Sequence, residues 1–271
     1  MLGTLDKMAV TLDDNGLAQY SLRVGAQQLP LNTLIGKKLS LNFTGRILCC
    51  NCGNRTKKSY AQGHCFVCMQ KLASCDMCVM KPETCHYAQG TCREPQWGLE
   101  HCFVPHYVYL ANTSGIKVGI TRHTQLPTRW LDQGATQGMP LFRVNSRYLS
   151  GLIEVALAQL IADKTNWQAM LKSDNDPLDL KAEAEILLPQ ISAKLTELDG
   201  SKQFIIEPLN SAITDIRYPV TAYPSKIKSL NFDKDPCVSG TLMGIKGQYL
   251  IFDNGVINIR KFTAYEVDVS L

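Results

Sequence analysis

Ten of the chain's eleven cysteines lie between Cys49 and Cys102, and their spacing restricts what that stretch can become. Cys49-x2-Cys52-Gly53, twelve residues, then Cys65-x2-Cys68 is the spacing of a zinc ribbon. A tight turn aims both sulfurs of a Cys-x2-Cys pair at one tetrahedral centre, with Zn–S near 2.3 Å. Gly53 lets the turn take positive φ, so that nearby amides can point at the sulfurs. A second set follows in Cys75-x2-Cys78, Cys85 and Cys92, where His86, His101 and Cys102 compete for the last place. The expectation is two structural zinc ions, with Cys50 and Cys237 as bystanders. Disulfides would suit a secreted chain, but MLGTLDKMAV has no charged-then-apolar leader. A reducing cytoplasm favours thiolates on metal. A redox dithiol would need a βαβ context, whereas this segment reads as knuckles and turns.

With 271 residues, 45% of them apolar, the chain can bury a proper core and is expected to hold two or three domains. No apolar run approaches the roughly 18 residues that cross a bilayer. A cytoplasmic protein without a membrane partner is expected. The net charge of +4 is modest, but its distribution is uneven. Between Asp14 and Asp76 there is no acidic residue, against Arg23, Lys37, Lys38, Arg46, Arg55, Lys57, Lys58 and Lys71. A basic stripe beside zinc knuckles points to phosphate contacts and a nucleic-acid partner, DNA or RNA. Lys37, Lys38, Arg55, Lys57, Lys58 and, further on, Arg122 are the candidate contacts. The bland alternative is charge compensation, since four thiolates around Zn²⁺ leave a charge of −2, to be met by Arg55, Lys57 and Lys58.

Residues 1–48 alternate apolar and polar side chains in short runs separated by Gly, Asn and Pro, the signature of small strands. Residues 201–271 end likewise, with a hairpin at Asp253-Asn-Gly255. The two ends are expected to meet in one antiparallel β unit. Between 103 and 170 the pattern reads strand, turn, strand, short helix from Pro127, strand, then a helix whose buried face carries Leu149, Ile153, Leu157 and Ile161. An acidic helix over 171–200, bent at Pro189, separates this unit from the C-terminal strands. The fold class is therefore α+β, with β units at both ends and a two-zinc module at 49–102.

Tyr107-Val-Tyr109, seven residues, then Lys117-Val-Gly119-Ile-Thr121 resembles the paired motifs of the GIY-YIG nuclease domain, in the branch that reads YVY and KIG-x-T. The resemblance covers about sixty residues and implies a three-stranded sheet with helices. It would assign Tyr109 to activating water, Arg129 to the phosphate, Glu154 to Mg²⁺ or Mn²⁺, and Asn166 to a later active-site position. Lys117 stands where many members have a second tyrosine, and it could favour the Tyr109 anion, since a phenol near pKa 10 is otherwise a poor base. Singly, each residue has a bland reading: Tyr109 as packing, Arg129 paired with Asp132, Glu154 with Arg147 or Lys164. Over nearly its whole length, through KVGITR, RWLDQGA and DKTNW, the chain also resembles a bacterial family of unknown function. Three functions follow as expectations: a metal-dependent endonuclease, a zinc-stabilised nucleic-acid-binding protein with a silent nuclease-like domain, and an interaction scaffold acting through the acidic helix.

Overall fold

The computed structural model describes residues 1–161 and 164–271. Among these residues fifteen strands form, in chain order: β1 (Leu2–Thr4), β2 (Ala9–Leu12), β3 (Ala18–Val24), β4 (Gln27–Pro30), β5 (Lys38–Leu48), β6 (Arg55–Thr56), β7 (His106–Asn112), β8 (Ile116–Arg122), β9 (Gln137–Val144), β10 (Ile206–Pro208), β11 (Thr214–Asp215), β12 (Cys237–Lys246), β13 (Tyr249–Phe252), β14 (Gly255–Asn258) and β15 (Tyr265–Ser270). The helices are α1 (Phe66–Lys71), α2 (Met77–Met80), α3 (Pro95–His101), α4 (Thr128–Gln133), α5 (Arg147–Ala158), α6 (Trp167–Met170), α7 (Leu180–Leu187) and α8 (Ser192–Asp199). The fold is α+β, its sheets are antiparallel, and strands stand at both ends of the chain.

The two ends share a seven-stranded sheet in the order β1-β15-β5-β12-β13-β14, with β6 added to β5. β5 is its axis, pairing Lys38–Asn42 with β12 on one side and Ser40–Ile47 with β15 on the other. Asp253 and Asn254 form the two-residue loop between Phe252 and Gly255. β2, β3 and β4 make a separate meander.

The second sheet runs β10-β9-β7-β8, with β11 also on β9. Residues 206–215, expected within the C-terminal β unit, instead extend the sheet built from 106–144. Pro127 begins α4 and Gly134, at φ +70°, closes it. Ser146 caps α5 by accepting from the Leu149 amide. The acidic segment is not one helix. Pro189 lacks an N–H to continue the ladder, and a 3-10 turn at Leu188–Ile191 separates α7 from α8.

Side chains alternate across a strand, so β7 sends Val108 and Leu110 to one face and Tyr109 and Ala111 to the other. The first face joins α5, α7 and α8 in one core cluster, through Leu149, Ile153, Leu180 and Leu198. The second belongs to the core of the end-to-end sheet, together with Trp130, Leu131, Ile245 and Phe262. The unit at 103–170 therefore shares its core with both chain ends, and both faces of its sheet are covered. No helix among the described residues is long and apolar enough to cross a membrane.

Candidate functional site

β5 leads directly into the first cysteine pair. The Gly53 amide donates to the Cys49 carbonyl at 2.8 Å and Cys49 donates to Asn54 at 2.9 Å, closing a tight turn with Gly53 at φ +71°. Cys65 and Cys68 stand at the start and in the middle of α1. The sulfurs of Cys49, Cys52, Cys65 and Cys68 lie within 4.8 Å of one another, and Cys52 and Cys65 are 3.8 Å apart. A zinc tetrahedron with Zn–S near 2.3 Å has edges of about 3.8 Å. The Cys65 amide donates to Cys49 Sγ at 3.2 Å and the Asn51 side-chain amide to Cys68 Sγ at 3.3 Å. Burial pushes the Cys49 thiol up, but hydrogen bonds from the amides of Cys52, Cys65 and Asn51 outweigh it and bring the pKa down to about 6. At Cys68 the Asn51 amide pulls downward, but burial and the other three thiols push the pKa up to about 12. One thiolate forms readily, while a fourth needs a cation beside it. These four cysteines form a tetrad that can hold a metal ion.

The later cysteines do not repeat that arrangement. A small cavity of about 20 Å³ is lined by Asp76, Cys78, Cys85, His86, Cys92 and Cys102, with Tyr87, Trp97 and Phe103 as apolar wall. Cys75 is not on this wall, although its spacing from Cys78 matches a ligand pair. Asp76, Cys78 and His86 also bring donor atoms within 4.8 Å of one another. Asp76 is held by Arg93 Nε at 2.7 Å, and His86 Nε2 lies 3.5 Å from the same oxygen. His101 turns elsewhere, its Nδ1 donating to the Trp97 carbonyl at 3.0 Å and its ring stacked on Trp97. Cys50 and Cys237 are exposed and lie outside both groups.

The basic stripe is divided by the fold. Lys37 and Lys38 stand at the start of β5, while Arg55 pairs with Leu48 at its far end. At about 3.3 Å per residue the two groups lie roughly 30 Å apart. Arg23 and Arg46 are committed to Asp6 at 2.8 Å and Glu266 at 2.6 Å. Arg55, Lys57, Lys58 and Lys71 remain exposed around the tetrad. The β6 ridge separates two open clefts that share Arg55, Thr56 and Lys57. One, of about 970 Å³, has Phe43 and the buried Phe232, rings 6.1 Å apart, in its wall. The other, of about 640 Å³, passes Cys52 and Cys65 and reaches Tyr60, Phe66 and Lys71. Tyr60 and Phe66 meet edge to face at 5.4 Å and are 38% and 48% exposed. Lys58 Nζ lies 4.7 Å over the Tyr60 ring. These aromatics are missing from the sequence-derived candidates, though their interleaving with the lysines was a readable signal.

In the second sheet Tyr109 lies opposite Gly119, its ring edge-on to Trp130 and its hydroxyl donating to Gln133 Oε1 at 2.9 Å. The side chain is fully buried, and burial raises its pKa, opposed chiefly by the Arg129 guanidinium. Activating water requires solvent at the phenol, and this phenol has none. Burial, then the charge of Cys102, which favours the cation, and that of Arg129, which opposes it, shape the lowered pKa of Arg147, with Glu154 and Arg122 also nearby. Tyr109, Arg129 and Glu154 thus fall in one electrostatic neighbourhood, joined by Arg122 and Arg147. Lys117 is buried on the Tyr109 face, two residues along β8 from Gly119. Asn166 is not with them. It caps α6, accepting from the Ala169 amide, and its own amide donates to Ser114 at the far turn of the β7–β8 hairpin. Asp163 of DKTNW lies outside the described residues.

The cysteine-rich segment is docked on this neighbourhood. Arg147 Nη2 donates to the Val79 carbonyl at 2.5 Å, and the Arg147 amide to the Cys102 carbonyl at 2.7 Å. One turn on, a Cβ at Gly151 would lie 2.6 Å from Pro82 Cβ, so only glycine permits this approach. Arg147, Gly151 and Glu154 share one side of α5.

No curated protein and no solved structure matches the chain. Residues 36–267 match the family model described as "Protein of unknown function (DUF2797)", and with most of its length covered the chain belongs to that family.

Proposed function

We propose that this is a zinc-stabilised nucleic-acid-binding protein that takes a single strand along the clefts flanking the β6 ridge. The carrying observation is the exposed Tyr60–Phe66 pair set among Arg55, Lys57, Lys58 and Lys71. Compensation of zinc thiolates would account for the cations but gives no reason to expose two aromatic rings beside them. Stacking platforms interleaved with a basic groove are how single strands are held without sequence preference. The half-buried Phe43, across the ridge, would continue the path. One zinc at the Cys49–Cys68 tetrad and a second among the later cysteines would hold the surface in shape.

Residues 106–158 are read as a GIY-YIG-like domain in which Arg129, with Arg122 and Arg147, receives a phosphate. The buried phenol of Tyr109 favours binding over water activation. Metal-dependent cleavage through Mg²⁺ or Mn²⁺ at Glu154 is the second reading, favoured by the company of Glu154 with Arg129.

Titration of labelled single-stranded and duplex DNA and RNA across a salt series tests the proposal. Arg55→Ala, Lys57→Ala and Lys71→Ala together should flatten the salt dependence by about two, at roughly 0.7 per single-strand phosphate contact. Tyr60→Ala with Phe66→Ala should weaken binding by about 1–3 kcal/mol per lost stack. Zinc-replete variants that bind like the parent, or a parent that binds nothing, would overturn it. Cleavage that needs Mn²⁺ and disappears in Glu154→Gln would establish the second reading.

A further inference from the structure

We infer that the second zinc is held by Cys78, Cys85, Cys92 and Cys102, and that Cys75 is not a ligand. This assignment rests on the two-zinc reading and replaces the ligand set that spacing alone suggests. Four cysteines from four separate turns of chain line one cavity of about 20 Å³, the scale of a single ion, with their sulfurs less closely drawn together than those of the first tetrad, and Cys75 is absent from its wall. Tyr87, Trp97 and Phe103 supply its apolar lining. A pocket of that size is too small for more than about one water, and four of its six metal-ligating side chains are thiols, beside Asp76 and His86. Soft thiolates in a tetrahedral group select zinc among the common divalent ions.

The electrostatic neighbours divide the same way. Cys78 senses Asp76 first and then Cys85, Cys102 and Cys92, and Cys102 senses Arg147 and then Cys85 and Cys92. Cys75 instead senses Arg93, then Cys49 of the first tetrad and Glu94. It ends a 3-10 turn, with Asp76 between it and α2. Helix α3 can bring Cys102 in because position 98 is glycine: a Cβ there would lie 3.2 Å from the Tyr87 ring and 3.6 Å from Cys92 Sγ.

The competing group is Asp76, Cys78 and His86. Its carboxylate is already engaged by Arg93 at 2.7 Å, and His86 Nδ1 is engaged by the Thr91 hydroxyl at 2.8 Å. The chain Arg93–Asp76–His86 reads as an outer layer that orients the knuckle around the metal. The assignment has a mechanical consequence. Cys102 accepts from the Arg147 amide, and Arg147 reaches back to Val79, the residue after Cys78. A metal joining Cys78 to Cys102 therefore pins the start of α5, and with it the side of the helix that carries Glu154.

The full-length chain is prepared with zinc, and separately with Co²⁺, as the parent, Cys75→Ser, Cys102→Ser and His86→Ala. Metal content and the intensity of the sulfur-to-cobalt charge-transfer band, which grows with the number of Co–S bonds, are read together. The expected result is two equivalents in the parent, Cys75→Ser and His86→Ala with an undiminished band. Cys102→Ser should fall to one equivalent, or keep two with a weaker band. Loss of an equivalent in Cys75→Ser, or in His86→Ala with Cys102→Ser unaffected, would overturn the assignment and leave two zincs standing. A parent with one equivalent would overturn the two-zinc reading itself. Should Cys102→Ser fail to fold, Cys75→Ser decides alone by retaining or losing its second metal and its band.

Discussion

His106 opens β7 at the junction between the cysteine-rich segment and the sheet, and it is fully buried. Its Nδ1–H donates to the Val104 carbonyl at 2.7 Å, and among the described residues Nε2 has no partner. Burial, assisted by the positive charges of Arg147, Arg122 and His123 and opposed by the Val104 bond, lowers its pKa from 6.5 to about 4. The folded value lies below the unfolded one, so the fold holds a neutral imidazole. As pH falls through 6.5 the unfolded chain takes up a proton that the folded chain refuses until about pH 4. Stability is therefore complete above pH 6.5 and drains away between there and pH 4. A difference of about 2.5 units at 1.36 kcal/mol each is about 3 kcal/mol when fully developed, and roughly 2.5 kcal/mol by pH 4.5. His106→Asn keeps a side-chain donor for Val104 but cannot titrate. Urea unfolding of parent and variant at pH 7, 6, 5 and 4.5 should show the parent losing that much relative to the variant. Protonation of zinc thiolates weakens both proteins alike and cancels in the comparison. Parallel stability profiles would mean that the imidazole is solvated or charged in the fold, and the reasoning from burial would fail.

The glycine of Lys117-Val-Gly119 has a packing role that can be measured. A Cβ on Gly119 would lie 2.5 Å from the Tyr109 hydroxyl and 2.6 Å from its ring carbon, so Gly119→Ala should cost about 1–3 kcal/mol in urea unfolding. Tyr109→Phe removes the hydroxyl contact but not the ring contact, and should recover only part of that cost in the double variant. At the first tetrad, a strong chelator or Cys52→Ser removes a metal whose binding free energy, about 10 kcal/mol or more for structural zinc, is folding free energy. Hydrogen exchange should then lose protection throughout 49–102, and protection that persists there without metal would refute a structural role.

Features set by short covalent spacing were legible in the residues themselves. Cys49 and Cys52 share a turn whatever surrounds it, and Cys65 and Cys68 share the first turn of α1, so the tetrad follows from two local geometries meeting once. The alternation along β7 and β8 and the stop at Gly134 are equally local. What the chain order concealed were choices made between distant surfaces. Lys38 and Arg55 belong to one acid-free run, yet an extended strand carries them apart, because charge density along a sequence is not charge density on a surface. Cys75 has the spacing of a ligand, but Cys102 reaches the cavity because α3 folds back over Tyr87, a contact permitted by Gly98. Alternation left Tyr109 open to either packing or a role at the surface, since a period of two says only which residues share a face. Whether the second face meets water depends on what else must be buried. Here the strands from both chain ends needed apolar surface, and the Tyr109 face supplied it. Local spacing is written in bonds, whereas burial is shared out among all the apolar surfaces of the molecule at once, and only the tertiary structure records that division.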